Sequence, residues 1–153
     1  MAGLVSASVE KRLRALEDRA EIAELISRYG PAVDSGDGDA ARALWADDGT
    51  YTFEDVTLDA DGIRTLTEFP THQGYMRAGC AHVISAPHIT ISGDTAVAIT
   101  HSVVLIHGDG RWEAERVSAN RWELVRTADG WRVACRRNHL LDGDAKARAL
   151  LAD

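Results

Sequence analysis

At 153 residues, 45% hydrophobic and 27% charged, the chain has the size and composition of one soluble domain that can bury a core. A net charge of −7 with dispersed basic residues excludes a nucleic-acid footprint, and no apolar run approaches the ~18 residues of a membrane span. Two distant cysteines, Cys80 and Cys135, exclude a disulfide framework, and the start "MAGLVSASVEKR" shows no secretory leader, so one cytoplasmic domain over 1–153 is expected.

The first 46 residues are helical in pattern. Leu13 and Leu16 open an apolar stripe that Ile22, Leu25, Ile26, Tyr29 and Val33 continue at steps of three and four, one helix face. Pro31 predicts a kink just before Asp34, because it removes a backbone donor and frees the Ser27 carbonyl. Asp37 reads as the N-cap of a short helix with Leu44 and Trp45 on its buried side. "DDGTYTF" (47–53) predicts a turn and a first strand, and "DADGIRTLTEF" (59–69) a helix that ends at Pro70. The segment 70–79, "PTHQGYMRAG", reads as a loop beside a binding site.

From Cys80 the pattern becomes a meander of long strands rich in β-branched and aromatic residues, 80–92, 95–108, 113–127 and 130–141. The tight turns "SGDT", "GDGR" and "ADG" separate them, and Pro87 predicts a bulge. "GDAKARALLAD" is a last helix. Helices first and strands after define an α+β fold, with a curved sheet whose concave face receives the helices.

Side-chain alternation carried across the hairpins shows which residues meet. If Gly93–Asp94 and Asp109–Gly110 are two-residue turns, then His82, His101, Ser118 and Asn120 project from one face among Ile84, Ile99, Val103 and Trp122. The third hairpin leaves two outcomes. A glycine bulge brings Arg136 and Asn138 to that face, and a plain turn brings Arg137. Asp34 reads either as a solvated helix-end residue in "DSGDGD" or as a carboxylate at a pocket wall, since Ala23, Ser27 and Gly30 leave space on its side.

The stretches "LEDRAEIAELISRYGPAVDSGDGDAARALWADDGTYTF", "AHVISAPHITISGDTAVAITHS" and "ANRWELVRTADGWRVACRRNHLLDG" resemble the SnoaL-like family of the NTF2-like superfamily, over roughly residues 12 to 143. The resemblance implies a cone-shaped α+β barrel, a curved mixed sheet round a deep pocket closed by the N-terminal helices. It is nearest the branch with scytalone dehydratase, bile-acid 7α-dehydratase and hexachlorocyclohexane dehydrochlorinase. There, an aspartate of the first helix pairs with a histidine base on the sheet.

Asp34 and His82 stand at the matching positions, and Tyr29 matches the tyrosine five residues before the aspartate in the bile-acid enzyme. Tyr51, His101, Ser118 and Asn120 match pocket groups of the scytalone enzyme, whose tyrosine directly before the aspartate is Val33 in this chain. No residue is matched to the active-site arginine of the other two enzymes. The resemblance thus implies a cofactor-independent lyase or isomerase for a small hydrophobic cyclic substrate such as a polyketide, steroid or terpenoid. Its alternative is a binding or assembly module of the same fold, and a homodimer or homotrimer is expected.

Such residues can move protons. An imidazole, with an ordinary pKa near 6.5, is a base at neutral pH, and an adjacent carboxylate fixes its tautomer and stabilises the imidazolium. Donors such as Tyr29, Tyr51 or Asn120 would hold the resulting enolate. No metal is expected: His82, His88, His101 and His107 are evenly spaced, but they form no HxH or HxxxH pair. "RVACRR" (132–137) reads as an exposed edge or a subunit contact.

Overall fold

The structure, a computed structural model, describes residues 2–152. Helix α1 (Ala2–Ser27) leads into α2 (Tyr29–Asp34), α3 (Gly38–Arg42), β1 (Trp45–Phe53), β2 (Val56–Leu58) and α4 (Ala60–Thr65). A 3₁₀ turn (Leu66–Glu68) and α5 (Pro70–Ala78) follow. The chain then runs through β3 (Cys80–Ile84), β4 (His88–Ser92), β5 (Thr95–Gly108), β6 (Arg111–Thr127), β7 (Gly130–Leu140) and α6 (Ala145–Leu150). The fold is α+β, as expected.

The strands form one mixed sheet in the order β2-β1-β7-β6-β5-β3, with β4 also paired to β5. Among the described residues only β1 and β7 run parallel. The sheet curves without closing, so the expected cone is open between the edges β2 and β3. Among the described residues, no helix is long and apolar enough to cross a membrane.

The helices cover the concave face because their apolar stripe faces it. Ile22, Ile26, Tyr29 and Val33 are buried against Trp45, Trp122, Leu124, Trp131 and Val133. The stripe begins later than expected, since Leu13 (53% exposed) and Leu16 (65%) are turned outward, while Arg14, Ala15 and Asp18 of the same stretch line a groove with Ile91, Asp94 and Arg126. The chain bends at Arg28, where α1 gives way to α2, and Pro31 sits in the short second piece. Asp37 caps α3 by accepting from the Ala40 amide at 2.8 Å. Segment 70–79 is not a loop. Pro70 opens α5 at a position where its missing N–H costs nothing.

Three irregularities between β3 and β7 set the register of the facing residues, and each moves residues by one place. β3 and β4 both pair with β5, but the break at Ser85–Pro87 puts His82 opposite Val104 instead of Leu105. The Asp109–Gly110 turn is as expected, with Gly108 opposite Arg111, yet a bulge at Glu115 shifts everything beyond it. His101 therefore pairs with Ala119, while Thr100 faces Asn120 and Ser102 faces Ser118. A third bulge, at Ala134, places Arg136 opposite Trp122 and Asn138 opposite Asn120. His82, Ser118 and Asn120 share the concave face because two shifts cancel, and Arg136 and Asn138 join them.

Candidate functional site

The site is built where α2 meets β3. Gly30 lies so close to β3 that a Cβ there would collide with the His82 carbonyl oxygen. This close approach brings the end of α2 to the strand. Asp34 then grips His82 twice: Oδ2 accepts from the His82 backbone amide at 2.8 Å, and Oδ1 from its ring Nδ1 at 2.6 Å. The Cys80 thiol adds a weaker bond to Oδ1 at 3.4 Å.

Burial works to raise the Asp34 pKa, but the ring and backbone bonds of His82 outweigh it and hold the carboxyl below its ordinary value. An ionised carboxylate only accepts, so Nδ1 carries the proton and Nε2 is left as the basic nitrogen.

His82 lines a pocket of about 210 Å³. Tyr29, Tyr51 and Phe53 form one wall and Ile84, Ser102 and Val104 another. Phe69, His72 and Tyr75 of the 66–78 region complete it. The His72 ring lies 5.4 Å from that of His82, and its Nε2 donates to the Val33 carbonyl at 2.7 Å. Burial lowers the His72 pKa, only partly offset by that bond, so this ring stays neutral. Burial also raises the Tyr29 pKa, with Tyr51 adding to the effect, so Tyr29 remains a phenol able to donate.

Beneath the pocket lies a guanidinium that the sequence left undecided. Arg136 is 2% exposed and sits over the rings of Trp122, Tyr29 and Tyr51 at 4.1, 4.2 and 4.5 Å. Its Nε and Nη2 donate to Asn120 Oδ1 at 3.0 and 2.7 Å, and Asn138 Nδ2 reaches the same oxygen at 2.8 Å. Asn120 in turn donates to Ser102 Oγ at 2.9 Å. No carboxylate neutralises Arg136 among the described residues, and its Nη1 is buried without a partner.

The expected site residues therefore divide. Asp34, His82, Tyr29 and Tyr51 come together, with Tyr29, Tyr51 and His82 in the pocket wall. Asn120 lies one layer below, as the acceptor that orients Arg136. Ser118 is on the same face but fully buried outside the wall, its Oγ unpartnered. His101 is a correction. The Glu115 bulge turns it to the convex face, where it is exposed.

The residues missed were His72 and Tyr75, hidden in a segment read as a loop, and Arg116 on β6. The "RVACRR" cluster is likewise not uniformly exposed. Arg137 pairs with Glu123 at the surface while Arg136 is in the core.

A cation could be considered at Asp34, Cys80 and His82, whose potential ligand atoms lie within 4.8 Å of one another. The 2.6 Å Asp34–His82 bond already occupies Nδ1, and burial with the nearby Asp34 pushes the Cys80 thiol up to about 11. An ion there would have to displace both the bridging proton and the thiol proton, and it would find three protein ligands in place of the four of a closed site.

An open, curved mixed sheet holding helices and a pocket on its concave side defines the NTF2-like, cystatin-like class of fold. The chain belongs to the SnoaL-like domain family, whose model matches residues 14–137. It is 48% identical to an NTF2-like protein with a cystatin-like fold from Novosphingobium aromaticivorans, with TM-score 0.94 over 96% of this chain and 97% of that one.

Hexachlorocyclohexane dehydrochlorinase from Novosphingobium barchaimii superposes with TM-score 0.72 at 18% identity, over 85% of this chain and 90% of that one. A protein of unknown function from Mycobacterium tuberculosis gives TM-score 0.73 at 19% identity, over 93% and 87%. These two likenesses concern the fold alone. No curated protein matches the chain.

Proposed function

We propose that the protein is a cofactor-independent lyase or isomerase in which His82, oriented by Asp34, removes an acidic proton from a small hydrophobic ring. The observation that carries this reading is the 2.6 Å bond from His82 Nδ1 to Asp34, on a histidine that lines an apolar pocket. The proton passes from carbon to His82 Nε2, and the C–H pair becomes an enolate whose oxygen needs donors. Tyr29 supplies one, and the Arg136 guanidinium against its ring supplies positive charge behind it.

In an elimination the enolate expels its leaving group, which takes a proton from Tyr29 or from the His82 imidazolium. In an isomerisation the proton returns to another carbon. The dehydrochlorinase of the same fold is named for an elimination, which supports this class. A volume of about 210 Å³ lies below the range of drug-sized sites and favours one or two rings over a steroid.

The test is hydrogen–deuterium exchange of 2-tetralone in heavy water, followed by proton NMR. The expected result is exchange above the buffer rate, reduced about 10²–10⁴-fold in His82→Ala and strongly in Asp34→Asn. Binding of the ketone with no accelerated exchange would overturn the catalytic reading in favour of a binding module. Heavy-oxygen water adds a check, since its label enters the product of a hydrolysis but not of an elimination.

A homodimer is part of the same proposal. Val83, Val103 and Val117 form a row across β3, β5 and β6 on the convex face, with Val83 and Val117 exposed. A second copy would cover that row, and light scattering of the eluted protein measures its mass.

A further inference from the structure

We propose that the ligand of this pocket carries a permanent negative charge, a carboxylate on a small ring, and that Arg116 grips it. The inference rests on the reading of this pocket as the substrate site and adds the substrate's charge class.

The chain as a whole is acidic, with a net charge of −7, yet among the described residues the pocket wall holds no aspartate or glutamate. It holds two arginines instead, Arg116 and Arg136. Asp34 is the nearest acid to His82, and both its oxygens are taken by His82 and Cys80, behind the wall. Glu115, beside Arg116 in sequence, is exposed at the bulge and meets the Tyr75 hydroxyl at 3.5 Å. Neither guanidinium has an ion-pair partner among the described residues. Two like charges facing one low-dielectric space repel each other, and an anion between them removes that cost.

The two arginines are held for different tasks. Arg136 is locked by Asn120 beneath the rings of Tyr29, Tyr51 and Trp122, where charge develops on a reacting oxygen. Arg116 is only partly buried and makes one hydrogen bond, from Nη2 to Asn138 Oδ1 at 3.1 Å. Nη2 spends one of its two N–H groups on Asn138, so one fork, its other N–H paired with either Nε or Nη1, stays open to match a carboxylate.

The register fixes the spacing. His82 pairs with Val104 and Val104 with Arg116, so base and handle stand in one row across three strands. Two interstrand spacings separate their backbones by ~10 Å, with Val104 as the floor between them. A ring lying on Val104 would present its acidic carbon to His82 and a carboxylate on its far side to Arg116.

The test is calorimetric binding of a shape-matched pair, 2-naphthoate and 2-naphthamide. The expected result is about tenfold tighter binding of the naphthoate, a preference that shrinks as salt is raised. In Arg116→Met the naphthoate falls to the amide's affinity while the amide is unchanged, and Arg116→Lys restores part of the preference. Equal binding of the pair by the native protein would overturn the proposal, as would an Arg116→Met variant that keeps the preference or weakens both ligands alike. The same titrations in His82→Ala separate this proposal from the catalytic one. A naphthoate preference there, with no tetralone exchange in the native protein, leaves the handle standing and removes the base.

Discussion

Asn120 shows how much one side chain can decide. Its amide oxygen accepts from Arg136 twice and from Asn138 once, and its nitrogen donates to Ser102. Asn120→Ala would leave a buried guanidinium without its acceptor, a loss of hydrogen bonds to a charged group that costs about 1.5–3 kcal/mol. Chemical denaturation should show an unfolding free energy lower by that amount, and Asn120→Asp should recover it by supplying a carboxylate. That same substitution should weaken naphthoate binding, because it neutralises the charge beneath the pocket. The residues that sequence made legible are those tied to local signals: Asp34 after a proline kink, His82 on an apolar strand, and Tyr29 on the helical stripe. Arg136 and His101 were not legible in this way. The facing of Arg136 depends on an unpaired Ala134 that no glycine or proline announces, while two shifts isolate His101: the Ser85–Pro87 break parts it from His82 and the unannounced Glu115 bulge from Ser118 and Asn120.

Among the elements, the contact of α2 with β3 does most to make the site. A helix backbone can lie this near a strand only if no side chain intervenes, and Gly30 provides that gap. Gly30→Ala would drive a methyl into the His82 carbonyl and push α2 outward, lengthening the Asp34–His82 bonds. The expected outcome is a loss of about 2 kcal/mol or more in stability, with tetralone exchange falling further than the folded fraction does. Exchange measured well below the melting transition separates the two effects. The kink that precedes this contact could be read from Pro31, since proline acts through its own covalent geometry. Helix α5 could not: its start rests on Pro70 in a role open to either the end of one helix or the beginning of the next. Leu13 and Leu16 satisfy helical spacing but stay exposed, because this stretch of α1 turns Ala15 and Asp18 towards the sheet, and periodicity alone does not say which face meets a partner.

At the scale of the molecule, the open sheet holds its shape only while α1 stays on its concave face. The apolar stripe supplies the burial, and Asp18 supplies the clamp. Both its oxygens accept from Arg126 at 2.8 Å, and Oδ1 also takes the Trp131 indole at 3.1 Å. Arg126 reaches on to Asp94 at 2.9 Å, so one helix, the β4–β5 turn and the β6–β7 hairpin are joined at one point. The Arg126 hydrogen bonds, opposed by burial and aided by Trp131, hold the Asp18 carboxyl below its ordinary value of 3.8. A carboxyl whose folded pKa is lowered adds stability that is fully present above the unfolded value and is lost as pH falls through the folded one. Asp34 has the same sign. The native protein should therefore lose stability steeply as pH drops below about 4. Asp18→Asn should be the less stable at neutral pH by about 2–4 kcal/mol, yet show a shallower acid slope, so the two melting curves converge in acid. Curves that stay parallel from neutral to acid pH would mean that Asp18 holds no ionised bond in the folded state. The helix would then be kept on the sheet by apolar burial and by its other polar ties, Glu21 on the Trp131 amide and Arg19 on the Ile89 carbonyl.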